Sequence, residues 1–301
     1  MAQSYPAGLG PRFEQNLAVH ASWLHRATPG MSVERGGGLL VADSGLDDDT
    51  FNFVGHAALT LQNAGDRISE VLAEVTATGR SFAWRVGPAS APRDLAALLT
   101  EAGLPPAVPE PAMWRGLDDP GTTRTHAATD LEVRIVGSDA ELRDWAWVLA
   151  ANWDPPSATV LEFYRRTAGQ LLAPGGPARL LIGYSGGRPV CTAEVLVHAG
   201  AAGLYNISTL ASRRRRGFGT AITAAALQAA RAAGAGLALL TASDQGEPLY
   251  RQLGFTIFGA LTEHPLPAVP AAPPPANPKL SQQSGAAAAH HPGDCEQRQD
   301  E

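Results

Sequence analysis

Cysteine is almost missing from this chain: Cys191 and Cys295 are the only two in 301 residues, one inside an apolar strand-like run and one near the C-terminus. Two thiols so placed indicate neither a disulfide framework nor a cysteine metal site, and they suit a reducing compartment. Long apolar runs are missing too. No stretch approaches the roughly 18 apolar residues of a membrane span, and Met1 to Gly10 has neither the basic residues nor the apolar core of a secretion signal. The expectation is a soluble cytoplasmic protein. Basic charge is in deficit, with 23 Lys and Arg against 29 Asp and Glu and a formal net charge of -6. A general nucleic-acid binder would need a broad basic surface. What the chain does have is apolar residues, 45% of the total, enough for two small domains and a tail.

Against that acidic background one stretch stands out, T-L-A-S-R-R-R-R-G-F-G-T-A from Thr209 to Ala221. Leu204 to Leu210 is β-prone, an Arg-rich turn follows, and an Ala-rich helical pattern runs on to about Ala233. Strand, glycine loop and helix start thus come in succession. A helix start carries unpaired N–H groups and a partial positive charge, so it can hold a phosphate or pyrophosphate. Gly217 and Gly219 would let the ligand approach the backbone, while Arg214, Arg215 and Arg216 add guanidinium groups that grip phosphate oxygens in pairs. A Walker loop is excluded, because Gly219 is followed by Thr220 and Ala221 in place of Lys and Ser/Thr. The dinucleotide fingerprint fails as well: Ile222 stands where its third Gly or Ala belongs, and the next acidic residue is Asp244.

The remaining pattern, Arg/Gln-x-x-Gly-x-Gly/Ala, is met by Arg214-Arg215-Arg216-Gly217-Phe218-Gly219. It resembles the pyrophosphate loop of the GCN5-related N-acetyltransferases (GNAT). A second motif of that family follows in order: the short apolar run Leu237 to Ala242, then Leu249-Tyr250-Arg251-Gln252-Leu253-Gly254-Phe255, similar to L-Y-x-x-L-G-F. The resemblance covers Leu131 to about His264. It implies an α/β fold with a mixed sheet, acetyl-CoA as cosubstrate and no metal. It also implies direct acetyl transfer to a primary amine, on a small molecule or a peptide, through a ternary complex. Two departures from the family pattern occur. Ala211 stands where many members have Pro, and Ser243 where many place an Asn that contacts the cofactor.

The rest of the chain is read by periodicity. A helix over residues 14–27, strands over 31–42 and 50–57, a helix over 66–78, a strand over 81–86, a helix over 92–102 with Pro92 in its first turn, and a strand over 113–117 are expected in the first part. Gly36-Gly37-Gly38 falls inside the first of these strands and reads as a loop or bulge. The order strand, A-S, helix, Gly-Leu, strand parallels Leu237 to Leu261, so residues 1–120 are read as a shrunken GNAT-like domain. That part lacks an Arg-x-x-Gly-x-Gly loop, and is expected to pack on the second domain and wall its substrate site without binding CoA itself. Residues 121–129 read as a linker, 130–264 as the acetyltransferase domain, and 265–301 as a disordered Pro/Ala-rich tail whose His290 and His291 are solvated. Within the second domain, a strand at 131–135 leads to a helix capped by Ser138 and a second helix over 157–172. A hairpin over 178–197 and a turn at 200–203 then lead into the strand at 204–210. Trp153, Phe163 and Tyr164 suit either the core or the wall of an acceptor pocket, with the core preferred.

Acetyl transfer needs a neutral amine, a stabilised oxyanion and a protonated leaving sulfur. The resemblance assigns the acid to Tyr250 and the oxyanion contact to a backbone N–H near Ile207 to Thr209. The candidate cofactor contacts are therefore Ile207, Thr209, Arg214, Arg215, Arg216, Gly217, Phe218, Gly219, Thr220 and Ser243. For the base, Thr192, Glu194, Leu196 and His198 share one strand face, and Glu194 is preferred over His198. Neither cysteine suits a nucleophile. An inactive acyl-CoA-binding or sensing module is the alternative reading, and a nucleic-acid binder using Arg213 to Arg216 is a distant third. No nucleic-acid or membrane partner is expected, and there is room for a homodimer.

Overall fold

The computed structural model describes residues 6–118 and 130–268. The expected linker and all but the first four residues of the expected tail, including Cys295, His290 and His291, lie outside the described residues. Among the described residues the chain folds as α1 (Leu9–Ala27), β1 (Ser32–Gly36), β2 (Leu39–Asp43), β3 (Phe53–Gly55), α2 (Ala64–Ala77), β4 (Phe82–Val86), α3 (Leu95–Glu101) and β5 (Glu110–Gly116). The second half adds β6 (Leu131–Ile135), α4 (Asp139–Ala150), α5 (Ala158–Leu171), β7 (Ala178–Ser185), β8 (Arg188–His198), β9 (Ala201–Thr209), α6 (Phe218–Ala232), β10 (Leu237–Thr241), α7 (Glu247–Gln252) and β11 (Thr256–Leu266).

All eleven strands join one mixed sheet in the order β1-β2-β3-β4-β11-β5-β10-β9-β8-β7-β6. The order is symmetric about the antiparallel β11–β5 pair. On either side, a strand (β4 or β10) is followed by a parallel neighbour (β3 or β9) and then by antiparallel strands. Each half sends its last strand into the other: β5 lies between β10 and β11, and β11 lies between β5 and β4. The first half is the shorter copy, with no counterpart to β6 and one helix in place of α4 and α5.

Packing follows from the alternation of side chains across the strands. Cys191, Ala193, Val195, Ala202 and Leu204 face α6 with Phe218, Ile222 and Leu227. The opposite face is covered in two places, by α4 and α5 through Trp145, Val160 and Phe163, and by α1 through Leu9, Phe13 and Leu17.

Several boundaries differ from the sequence expectation, each for a local reason. The strand expected over 31–42 is a hairpin, β1 and β2, because Gly37 (φ 55°) and Gly38 (φ 79°) reverse the chain between them. The turn expected at 200–203 lies at Ala199 and Gly200, whose positive φ values let β9 begin at Ala201. α3 starts at Leu95, so Pro92 precedes the helix and is not in its first turn. α1 begins five residues earlier than expected, with Pro11 inside its first turn, where a missing N–H costs nothing. β11 runs past His264 to Leu266, pairing Pro265 with Ala83 and Leu266 with Phe82, so the fold takes in the first two residues assigned to the tail.

The candidate acetyl-CoA cleft

β9 and β10 pair only at Leu237↔Ala201, Ala238↔Ala202 and Leu239↔Gly203, after which they part. From Leu204 to Thr209, β9 is held on one side only, by β8. A β-bulge interrupts that ladder. Thr192 pairs with Ser208 and Glu194 with Tyr205, leaving Ala193 opposite both Asn206 and Ile207. Asn206 takes φ 51°, the left-handed region that asparagine tolerates better than most residues. The Ala193 carbonyl accepts instead from Trp145 Nε1 at 3.3 Å, and the Asn206 carbonyl accepts from Thr192 Oγ1 at 2.9 Å.

The gap between the splayed strands opens into a cleft of about 760 Å³. Ile207, Thr209, Arg214, Arg215, Gly217, Phe218, Gly219, Thr220, Ser243 and Tyr250, all singled out from sequence, line it, while Arg216 and Glu194 do not. Asn152, in the turn two residues past α4, also lines it and donates to Ser208 Oγ at 2.7 Å; nothing in the sequence signals that role.

The glycine loop is a 3-10 turn, Ala211–Arg213, followed by Arg214 to Gly217. Arg215 (φ 64°) and Gly217 (φ 81°) both sit in the left-handed region. Gly217 is the N-cap of α6, and no side chain caps that helix. The first amides of α6 therefore lack a side-chain acceptor at the end where the helix dipole is positive. Arg214 is fixed by Nε donation to the Thr209 carbonyl at 3.2 Å. At Gly219 an added Cβ would stand 3.2 Å from Leu249 and 3.6 Å from Thr209 Oγ1, so the loop lies tight against α7 and β9. Ser243 accepts from Gly246 N at 3.3 Å and so helps to form the turn into α7. Tyr250 is 8% exposed, and burial, helped by the charge of Glu110, pushes its phenol up to about 12. The Cys191 thiol is fully buried and likewise pushed up to about 12.

Among the described residues of the first half, the corresponding strands are bridged by hydrogen bonds. Beyond β3 and β4 the chain stays closed: Ala91 N donates to Ala57 O at 2.9 Å and Leu59 N to Ala91 O at 3.1 Å. Thr60 and Asn63 exchange hydrogen bonds at the start of α2, and the Ala64 amide donates to Thr60 O.

Glu194 is deeply buried at 2% exposure. It accepts from Asn206 Nδ2 at 2.7 Å, and Asn206 Nδ2 also reaches Tyr164 Oη at 3.1 Å. His20 of α1 brings Nε2 to 3.4 Å from Glu194 Oε2 and stacks on the Tyr205 ring at 3.7 Å. His20 carries no signal in the sequence, where it is one residue of the helix expected over 14–27. Phe163, stacked on Phe51 at 3.9 Å, and Tyr164 are core residues, whereas Trp153 is 45% exposed. Among the described residues no group of acidic, histidine or cysteine side chains is arranged to hold a metal, and no helix is long and apolar enough to cross a membrane.

Residues 176–257 match the acetyltransferase (GNAT) domain family. No curated protein matches the chain. Among solved structures, a GCN5-related N-acetyltransferase from Kribbella flavida is similar at TM-score 0.65 and 20% identity, covering 86% of this chain and 95% of that one. A tandem GNAT protein from the clavulanic acid biosynthesis pathway is similar at TM-score 0.57 and 12% identity, covering 89% and 98%. A GCN5-related N-acetyltransferase from Sphaerobacter thermophilus is similar at TM-score 0.55 and 15% identity, covering 87% and 93%. Splayed strands, a glycine loop opening a helix and a shortened duplicate sharing the sheet agree with these matches: residues 176–257 are a GNAT acetyltransferase domain, and the described residues share the fold of two-part GNAT proteins.

Proposed function

We propose that the chain is an acetyl-CoA-dependent N-acetyltransferase that moves the acetyl group directly to a primary amine while both substrates are bound. The observation that carries this reading is the uncapped start of α6, which faces a cleft lined by Arg213, Arg214 and Arg215 at the point where β9 leaves β10. Oriented amides and guanidinium groups together suit a pyrophosphate. Acetyl-CoA, when bound, supplies an activated acyl group as a thioester. The amide of Ile207, at the bulge, is the donor for the oxygen that gains charge during transfer, since β9 there has no partner on the β10 side. Tyr250 Oη is the proton donor to the leaving sulfur. With its phenol held near 12 it is fully protonated at neutral pH, while an ordinary thiol titrates near 8.5. Cys191 is excluded as an acyl carrier by burial, and that favours direct transfer.

One observation favours the alternative, a module that binds acyl-CoA without turnover: Glu194, preferred from sequence as the base, is too deeply buried to meet an amine by itself. The two readings share the first half of the test and divide on the second. Calorimetric titration with acetyl-CoA should give binding that a Gly219→Glu variant abolishes, because the new carboxylate would occupy the cradle beside Leu249 and Thr209. Release of free thiol on adding primary amines then separates enzyme from module. If the wild type does not bind acetyl-CoA, both readings fall.

A further inference from the structure

We infer that His20 takes the proton from the acceptor amine, with Glu194 behind it as the carboxylate that orients the ring and balances its charge. The inference rests on the acetyltransferase reading above. It adds a catalytic residue from the other half of the chain and an acceptor class, primary amines that arrive as ammonium ions.

The argument starts from how His20 is held. Asn16 and His20 are four residues apart on α1, so they share a face. Asn16 fastens that face to the sheet, with Nδ2 donating to Ala201 O at 3.1 Å and Leu196 O at 3.4 Å, and Oδ1 accepting from Tyr205 Oη at 2.7 Å. Tyr205, fixed in this way, stacks on the His20 ring at an interplanar angle of 13°. Docking α1 is thus already accomplished by Asn16 and the apolar contacts of Phe13 and Leu17. What His20 adds is a titratable nitrogen 3.4 Å from a buried carboxylate, on a side chain that keeps 22% of its surface accessible.

The pair does not line the cleft and is joined to its wall through Asn206. Asn206, which donates to Glu194, immediately precedes Ile207 and Ser208, and both of these line the cleft. The groups facing His20 are Glu194 from β8, Tyr205 from β9 and His25 one turn further along α1. Tyr164 of α5 joins through Asn206, and the charge of Arg85 on β4 reaches Tyr205. Burial pushes both tyrosines up and His25 down, so all three are uncharged at neutral pH.

In the tautomer that carries its hydrogen on Nε2, the nitrogen 3.4 Å from Glu194 Oε2, the lone pair lies on Nδ1. An N–H bond of the ammonium breaks and its proton forms a bond to Nδ1, while the electron pair stays on the amine nitrogen. That nitrogen then forms the C–N bond as the C–S bond breaks, and the sulfur takes the Tyr250 proton. The second proton leaving the nitrogen returns through water to Tyr250. His20 finally releases its proton to solvent, the one proton the overall reaction liberates.

The test uses the full-length protein with tyramine, spermidine and an N-terminally blocked lysine peptide as acceptors, following thiol release between about pH 6 and 10. His20→Gln should lower kcat/KM about 100-fold or more near neutrality. The deficit should shrink as the pH nears about 10, where an alkylamine deprotonates unaided. Added imidazole should restore part of the rate, with acetyl-CoA affinity and Tm unchanged. Asn16→Ala, which loosens α1, should instead lower the rate equally at every pH and resist imidazole. Should His20→Gln fail to fold, Glu194→Gln keeps an acceptor for Asn206 and should lower kcat/KM near neutrality, with the deficit again shrinking toward about pH 10. A His20→Gln profile parallel to wild type without imidazole rescue, or a Glu194→Gln profile parallel to wild type, overturns the role of His20 alone. Acetyl-CoA that does not bind, or that binds without any of the three amines turning over, overturns the acetyltransferase reading and the inference with it.

Discussion

At the scale of single residues, burial does more to set the chemistry than residue type. Tyr250 is reached by the cleft yet 8% exposed, and its phenol stands near 12. An acid with so high a value remains protonated through the whole working range, so it should contribute no alkaline limb to the rate profile below about pH 11. Tyr250→Phe keeps the ring against Gly246 and removes the proton. The expected result is a fall in kcat of about 10- to 100-fold with acetyl-CoA affinity retained, as read by calorimetry beside steady-state rates. Unchanged kcat would take Tyr250 out of the mechanism. Glu14 illustrates the same physics without a catalytic role. It accepts from Ala89 N at 2.7 Å and Ser90 Oγ at 3.1 Å, yet its desolvation outweighs those bonds and its carboxyl is raised. Because the unfolded chain gives up this proton more readily, ionisation opposes folding as pH rises through the folded value. Glu14→Gln keeps an acceptor oxygen and should raise Tm at pH 7, with the gain fading as pH falls to the ordinary 4.5. A lower Tm for the variant at pH 7 would mean that the charge is compensated.

At the scale of elements, the cleft is made by what two strands fail to do. β9 outruns its pairing with β10, the bulge at Asn206 and Ile207 turns it, and α6 begins beyond it with its amides uncapped. Gly217 carries φ 81° at that corner, where any other residue is strained. Gly217→Ala should therefore cost about 1 kcal/mol of stability and, by shifting the first amides of α6, weaken acetyl-CoA binding. Paired denaturant melts and titrations would show this, and a variant with wild-type melting and affinity would contradict it. This part of the site was legible in the sequence because it is local: strand, loop, glycines and helix start follow one another within twenty residues. The second motif was legible for the same reason. His20 was not, since its partners Tyr205 and Glu194 lie in the other half of the chain and nothing around it in α1 marks it. The bulge was equally hidden. It shows as a register shift between β8 and β9, and neither strand alone encodes that. The hairpin at Gly37 and Gly38 could be read as an interruption but not as a reversal, because strand alternation continues on both sides of it.

At the scale of the molecule, the sheet has no seam at which the halves could part. β5 of the first half makes both neighbours of its gap, pairing Ala112 to Gly116 with β10 on one side and Glu110 to Trp114 with β11 on the other. β11 in turn completes β4, and Trp84, buried beneath that junction, belongs to the core of the first half together with Leu266 from the second. Taking away the first half would leave one edge of β10 and both edges of β11 without partners and would uncover Ala201, Leu237 and Leu239, which now pack with Leu9, Phe13 and Leu17 of α1. Unpaired strand edges over an exposed apolar face favour aggregation over folding. Residues 130–268 expressed alone should therefore be insoluble or lack cooperative melting, although they contain the whole matched acetyltransferase domain. Co-expression with residues 1–118 should restore a soluble complex, and the intact chain should melt in a single calorimetric transition. Two separate transitions, or a well-folded 130–268 fragment, would mean that the exchanged strands are dispensable. The same exchange gives the shortened duplicate a task although its own strand gap is closed: it carries α1, and with it His20, against Glu194 of β8 and Tyr205 of β9, the strand whose far end lines the cleft.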